Sequence, residues 1–79
     1  MRISVKLIAT YREHLPPDTK GNKVEVDVPE GTTVADVMAR FKIPQDETSV
    51  IVVNGVTVPL STIVREGDLV SAFSAIAGG

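Results

Sequence analysis

The sequence of 79 residues contains no cysteine and no tryptophan, and its only aromatic side chains are two Phe and one Tyr. The lack of cysteine excludes disulfides, iron–sulfur clusters, thiolate metal sites and cysteine nucleophiles. Because 43% of the residues are hydrophobic and so few are aromatic, the core has to consist mainly of Val, Ile, Leu and Ala. This composition favours β-structure in one small domain.

Long hydrophobic runs and a strong excess of one charge are also missing. No apolar run approaches the ~20 residues that span a membrane, and the first residues lack the basic and apolar regions of a secretory signal. A net charge of −2 with scattered basic residues predicts no binding to nucleic acid or to a membrane surface. His14 has no nucleophile or metal-ligand spacing near it, so we expect no metal and no bound cofactor. A cytoplasmic protein is the expectation.

Alternating apolar and polar residues predict two strands near the start of the chain. The first strand places Ile3, Val5, Leu7 and Ala9 on one face, at the period of two that a half-buried strand requires. Strict alternation resumes over residues 23–28, where valines alternate with charged residues. The two strands and the loop between them predict a hairpin.

Two segments predict helices. Residues 11–15 fit one helical turn that the following pair of prolines ends. Farther along, Thr33 and Asp36 have the spacing of a capping box, which satisfies backbone N–H groups at a helix start. Pro44 is expected to end this helix. Its apolar residues follow the helical period and predict one buried stripe, formed by Val34, Val37, Met38 and Phe41.

The remaining strands are predicted from turns. Asn54-Gly55 separates two apolar segments, and this dipeptide tolerates the positive φ angles of a type I′ hairpin turn. A last strand is predicted over residues 69–73, after a turn at residues 65–68. The order of elements predicts an α+β fold of the β-grasp type, with a mixed sheet of four to five strands packed on one main helix. The first and last strands are expected at its centre.

A family resemblance is carried by six segments in chain order: ISVKLIAT, YREHL, VPEGTTVADVM, VVNG, REGDLV and the terminal IAGG. Their order and spacing resemble the ubiquitin-like sulfur-carrier family, which includes the small subunit of molybdopterin synthase and the thiamine-pathway sulfur carrier. The resemblance implies a β-grasp domain over residues 1–73 and a flexible tail over residues 74–79 that ends in Gly78-Gly79.

The resemblance implies that Gly79 is the reactive residue. A C-terminal carboxylate is ionised at neutral pH and is a poor electrophile, so acyl transfer requires activation. In this family a ubiquitin-activating-like adenylyltransferase uses ATP to place AMP on the terminal carboxylate. A persulfide donor or sulfurtransferase then displaces AMP and leaves a thiocarboxylate. Gly78, Ala77 and Ile76 would thread the tail through the partner, since glycine allows close backbone approach.

The resemblance leaves the acceptor open, and it implies a protein that is not an enzyme on its own. YREHL and the chain length resemble the molybdopterin carrier, which donates sulfur to the large subunit of molybdopterin synthase. VVNGVTVP and FSAIAGG look closer to the thiamine carrier, which serves thiazole synthase. A ubiquitin-like modifier conjugated to lysines through Gly79 is an alternative, and so is an interaction module whose terminus is never activated. The terminal glycines taken alone also fit a frayed terminus.

Phe73 has two interpretations. If Val70 and Ala72 point into the core, alternation turns Phe73 outward, where it resembles the family's docking position for the activating enzyme and the acceptor. The alternative is that Phe73 packs inward as ordinary core. Alternation in a short strand does not decide between the two.

Overall fold

Residues 1–75, which a computed structural model of the chain describes, form five strands and two short helices. In chain order these are β1 (Arg2–Leu7), a 3₁₀ helix (Ala9–His14), β2 (Lys23–Asp27), α1 (Val34–Arg40), β3 (Ser49–Val53), β4 (Val56–Thr57) and β5 (Leu69–Ser74). Neither of the helices in this part of the chain is long and apolar enough to cross a membrane.

The strands form one mixed sheet in the order β2-β1-β5-β3-β4. β1 runs parallel to β5, whereas β1–β2, β3–β5 and β3–β4 are antiparallel pairs. The predicted hairpin of the first two strands is therefore confirmed. β5 lies at the centre of the sheet with β1 beside it, as expected. This topology, with one main helix, confirms the predicted β-grasp fold.

The core lies between one face of the sheet, which we call the inner face, and α1. Ile3, Val5 and Leu7 alternate inward along β1, and Val70 and Ala72 do the same along β5. All five side chains are at most 1% exposed. The predicted stripe of the helix is confirmed by the burial of its members, which are Val34, Val37, Met38 and Phe41.

The predicted capping box starts α1. The backbone N–H of Asp36 donates to Thr33 Oγ1 at 3.1 Å, and the backbone N–H of Thr33 donates to Asp36 Oδ2 at 3.0 Å. Each side chain thus satisfies a backbone donor that a helix start leaves unpaired. The carboxylate of Asp36 in the first turn also complements the positive end of the helix dipole.

The expectation that Pro44 ends α1 is wrong. The helix ends earlier, at Arg40, because Lys42 adopts a left-handed conformation with φ +60°. The backbone N–H of Ile43 then donates to the carbonyl of Met38 at 2.9 Å, which is the bond of a Schellman motif. A lysine occupies the position at which glycine is usual, so the composition of the segment did not indicate this stop.

The turn between β3 and β4 forms as predicted. Asn54 and Gly55 both have positive φ, at 52° and 84°. This pair of left-handed residues matches the twist of the flanking strands in a two-residue hairpin. The side chain of Asn54 also accepts the backbone N–H of Leu69 at 2.9 Å and donates to Asp68 at 3.0 Å. The hairpin turn is therefore tied to the start of the central strand.

Two predicted boundaries differ from the structure. Ala9 does not continue the first strand, because its φ of 56° turns the chain into the 3₁₀ helix, which begins there rather than at Tyr11. The last strand continues one residue beyond Phe73 and ends at Ser74. Both differences lie at the same end of the sheet, where the parallel strands β1 and β5 end.

Candidate functional site

The base of the C-terminal tail is held by β3. Ser74 is paired with Ser49, and the backbone N–H of Ala75 donates to the carbonyl of Thr48 at 2.8 Å. The predicted reactive and threading residues lie outside the described residues and keep the status of predictions; they are Ile76, Ala77, Gly78 and Gly79. The predicted division between domain and tail after Phe73 also stays a prediction.

The 3₁₀ helix contributes a second contact at the same place. The hydroxyl of Tyr11 lies 2.6 Å from Ser49 Oγ and 3.5 Å from the carbonyl oxygen of Thr48. Tyr11 is only 8% exposed, so its hydroxyl needs these partners. Through Tyr11 the 3₁₀ helix is tied to the start of β3 and to the carbonyl that also binds Ala75.

Asp46 organises the loop that precedes β3. Its Oδ1 accepts the backbone N–H of Thr48 at 2.8 Å and also the Thr48 hydroxyl. These hydrogen bonds favour the charged form and lower the pKa of the Asp46 carboxylate below its ordinary value. Residues 1–75 contain no cluster of three or more metal-ligating side chains. The contact of Asp46 with Thr48 was not predicted from the sequence, although an Asp in a loop often accepts the backbone N–H two residues on, as in an Asx turn.

The outer face of the sheet, which points away from α1, is divided into two halves. A row of directly paired residues crosses all five strands from β4 to β2, formed by Thr57, Val52, Ser71, Lys6 and Lys23. The half over β3 and β5 is largely apolar, and the half over β1 and β2 carries the charged residues. A second, shorter row lies nearer the tail.

Phe73 belongs to that second row and points outward. It is 36% exposed and is paired with Val50 on β3, while Val70 and Ala72 on the same strand are completely buried. The structure therefore decides between the two interpretations in favour of the outward one. The docking role predicted for Phe73 stays a prediction. Its exposed ring lies one residue before the end of β5 and thus beside the base of the tail.

A shallow groove borders the apolar half of the outer face. Its volume is about 290 Å³, and it runs along the β3 edge between the loop after α1 and the segment after β4. Val50 lines this groove and is also the partner of Phe73. The other residues at its wall include Ile51, Val58 and Leu60, with Gln45 and Asp46 at its polar end.

The charged half of the outer face contains a small ion-pair group. The guanidinium of Arg2 lies 3.2 Å from Asp27 and 3.7 Å from Glu25. The hydrogen bond and the positive charge of Arg2 lower the pKa of Asp27, and Asp27 in turn raises the pKa of Arg2. All three side chains are exposed, so solvent screens the group and its contribution to stability is small.

His14, near which the sequence shows no nucleophile or metal-ligand spacing, is the last residue of the 3₁₀ helix. It is exposed, but its Nδ1 lies 2.8 Å from the carbonyl oxygen of Phe41. Because a carbonyl only accepts hydrogen bonds, Nδ1 must carry the proton. His14 also meets the ring of Tyr11 edge-on at 5.9 Å. These contacts give His14 a structural role that joins the 3₁₀ helix to the end of α1.

Known proteins share this fold. SAMP1 from Haloferax volcanii is 20% identical over 100% of both chains, with a TM-score of 0.78. The H. volcanii small archaeal modifier protein 1 is 19% identical over 95% of this chain and 98% of its own, with a TM-score of 0.75. A Pyrococcus furiosus protein with the provisional name molybdopterin converting factor, subunit 1, is 24% identical over 95% and 98%, also with a TM-score of 0.75.

These identities are low, so the solved structures establish the fold and not a shared activity. No curated protein matches the chain. A family model does match, and it covers residues 1–77, nearly the whole sequence. The predicted ubiquitin-like relationship is therefore confirmed: the chain belongs to the Mut7-C ubiquitin family and has the small β-grasp fold that ubiquitin-like modifiers and sulfur carriers share.

Proposed function

We propose that this protein is a sulfur carrier that acts through the carboxylate of Gly79. The observation that carries the proposal is the combination of a β-grasp fold with Gly78-Gly79 shortly after its central strand. The protein provides the acyl group and the docking surface, and partner enzymes provide the catalysis. On its own it is therefore not an enzyme.

The proposed reaction has two stages. A carboxylate oxygen of Gly79 first attacks the α-phosphorus of ATP, which forms the acyl-adenylate and releases pyrophosphate. The terminal sulfur of a persulfide then attacks the acyl carbon, and AMP leaves. A second thiol cleaves the remaining S–S bond, which leaves a thiocarboxylate on Gly79 and forms a disulfide in the donor. The ubiquitin-activating-like adenylyltransferase supplies the ATP site, and a sulfurtransferase or another persulfide supplies the sulfur.

The described part of the chain supports this proposal by its arrangement. The bond from Ala75 to Thr48 holds the tail at the end of the central strand, beside the exposed ring of Phe73. The four residues after Ala75 reach at most about 14 Å when extended. A partner that binds the face around Phe73 therefore has the carboxylate of Gly79 within reach of a nearby active site.

The proposed acceptor is the large subunit of a molybdopterin synthase in the cytoplasm. The provisional name of the P. furiosus neighbour favours this pathway over the thiamine pathway, in which thiazole synthase would be the acceptor. A second function, conjugation to lysines as a modifier, is favoured by the names of the two H. volcanii neighbours. Both functions begin with adenylation of Gly79 and differ in the nucleophile that follows.

The experiment is mass spectrometry of the protein taken from its own cells. We expect the mass gain of one oxygen replaced by sulfur, located at Gly79 by C-terminal fragments. Oxidation of Met1 or Met38 adds nearly the same mass, so the position of the change is essential. Alkylation provides the control: because the chain has no cysteine, a thiol-directed reagent should label the thiocarboxylate and should not label a variant that lacks Gly79.

Three other results contradict the sulfur-carrier proposal. An isopeptide bond between Gly79 and a lysine, with no thiocarboxylate, establishes the modifier instead. Residues found beyond Gly79 in the mature protein remove the carboxylate that the mechanism needs. A terminus that stays unmodified with the activating enzyme, ATP and a persulfide donor indicates an interaction module.

A further inference from the structure

Two lysines face each other directly across β1 and β2 on the outer face of the sheet. Lys6 is paired with Lys23 in the register of the hairpin. Lys6 is half-buried and Lys23 is exposed. Opposed residues of an antiparallel pair place their Cβ atoms about 4.5–5.5 Å apart, and like charges at such positions destabilise the sheet. The hairpin therefore carries a repulsion at this position.

Within residues 1–75, neither of the two lysines forms an ion pair with a carboxylate. The ion pairs recorded in residues 1–75 all involve Arg2, which holds Asp27 and Glu25. Glu25 is the nearest acidic residue on the same face of β2. It lies opposite Ser4, in the next pair of residues that faces outward, and not opposite either lysine. Stability alone selects against two like charges directly opposite each other in a sheet. Proteins keep such unfavourable local arrangements mainly where function requires them.

The lysine pair lies next to the apolar half of the outer face. Lys6 is paired with Ser71 on β5, and Ser71 is paired with Val52 on β3. Phe73 follows Ser71 by two residues and points to the same side of the sheet. An exposed aromatic residue flanked by unpaired charges is typical of a protein interface, in which an apolar anchor gives affinity and charges steer the partner.

We propose that Lys6 and Lys23 recognise carboxylates on the activating enzyme, beside a pocket of that enzyme for Phe73. This inference deepens the proposed function and rests on it. An acidic protein surface is favoured over nucleic acid, because the lysines adjoin the exposed ring of Phe73, an anchor typical of protein interfaces, and the chain has a net charge of −2. A surface with carboxylates opposite the lysine pair relieves the repulsion that the free protein carries.

Lys23→Glu is the decisive variant because it separates stability from docking. It places a carboxylate opposite Lys6, so we expect the urea midpoint of unfolding to rise. We expect the KM for the protein in the adenylation reaction to rise about tenfold, with kcat unchanged, since the chemistry at Gly79 is not affected. The KM of the unaltered protein should also increase with salt, and that of the variant should not.

Lys42→Glu is the matched control, because it makes the same change of charge at an exposed residue beyond the end of α1. Its KM should equal that of the unaltered protein. If the enzyme adenylates the unaltered protein and Lys23→Glu leaves the KM unchanged, the inference is overturned while the proposed function stands. If the unaltered protein is not adenylated at all, the proposed function itself fails. Nucleic-acid binding that depends on Lys23 would also overturn the inference.

Discussion

The two faces of the sheet differ in what they contribute to the protein. On the inner face Val5, Leu7 and Val70 are completely buried. On the outer face the ring of Phe73 is 36% exposed, and two lysines oppose each other, neither of them in an ion pair with the described part of the chain. The strands therefore bury apolar side chains on the inner face, whereas they present an exposed ring and a pair of like charges on the outer face. The difference indicates that the inner face maintains the fold, and it is the basis of the proposal that the outer face binds partners.

The central strand takes part in both faces. Along β5, Val70 and Ala72 enter the core, whereas Phe73 points to the outer face. The same strand ends at Ser74, where the tail begins. A partner that bound the outer face, as proposed, would contact a strand that the core holds in place, and the tail would start from a fixed point.

The largest expected effect is on the inner face. Met38→Ala removes a fully buried side chain of α1 and leaves a cavity, so we expect a loss of about 3 kcal/mol in the free energy of unfolding. Urea denaturation measures this loss. The KM in the adenylation reaction should stay unchanged at temperatures at which the variant remains folded. A loss below about 1 kcal/mol would mean that the inner face is not the stabilising one.

Phe73→Ala tests the outer face. Because the ring is partly exposed, we expect a loss of less than about 1 kcal/mol in unfolding free energy. The KM for the activating enzyme should rise about tenfold if the ring is an anchor of the interface. Ile63→Ala is the control, since Ile63 is 56% exposed but pairs with Thr33 at the start of α1 and lies off the outer face. If the two variants have equal KM values, the ring of Phe73 is not an anchor for the activating enzyme, and the proposed binding role of the outer face does not include Phe73.

Tyr11→Phe tests the connection between the core and the tail. The substitution removes the hydroxyl that lies 2.6 Å from Ser49 Oγ and keeps the buried ring. We expect a loss of about 1 kcal/mol in unfolding free energy, the usual contribution of one such hydrogen bond. Amide hydrogen exchange should show faster opening at Ala75, whose N–H shares the Thr48 carbonyl with Tyr11. Unchanged protection of Ala75 would show that the bond to Thr48 does not depend on Tyr11.

Asp46→Asn has the smallest expected effect and depends on pH. Hydrogen bonds from Thr48 lower the pKa of Asp46 in the folded protein. The Asp46 carboxylate therefore stabilises the folded protein fully at pH values above its pKa in the unfolded state. The contribution is lost as the pH falls through the folded value. The unfolding midpoint of the variant should therefore be slightly lower at neutral pH and should converge with that of the unaltered protein in acid. Asp18→Asn, at an exposed loop position, is the control for the loss of a charge, and its unfolding midpoint at neutral pH should equal that of the unaltered protein.

Local sequence patterns predicted the elements that depend on neighbouring residues. The capping box of Thr33 and Asp36 and the turn at Asn54-Gly55 formed as expected, because short-range hydrogen bonds and φ preferences determine them. The end of α1 was not predicted, because Lys42 adopts a conformation that its residue type does not favour. There the hydrogen bond and packing of Ile43 against the core outweigh intrinsic preference.

The candidate site was predictable only in part. The position of Phe73 and the terminal glycines were visible in the sequence, but strand alternation left the direction of the ring open. The contact of Tyr11 with Ser49 was not predictable, since 38 positions separate the two residues and no local pattern links them. Contacts of this kind result from the path of the whole chain.

The sequence by itself determined an aliphatic core, the order of strands and helix, the absence of cysteine chemistry and the resemblance to carriers that end in diglycine. Only the tertiary structure decided which side chains meet on the outer face. It set Lys6 against Lys23 and Phe73 against Val50. The physical reason is register: a slip of one residue would turn every side chain of a strand to the other face, and the packing of the whole inner face against α1 prevents that slip.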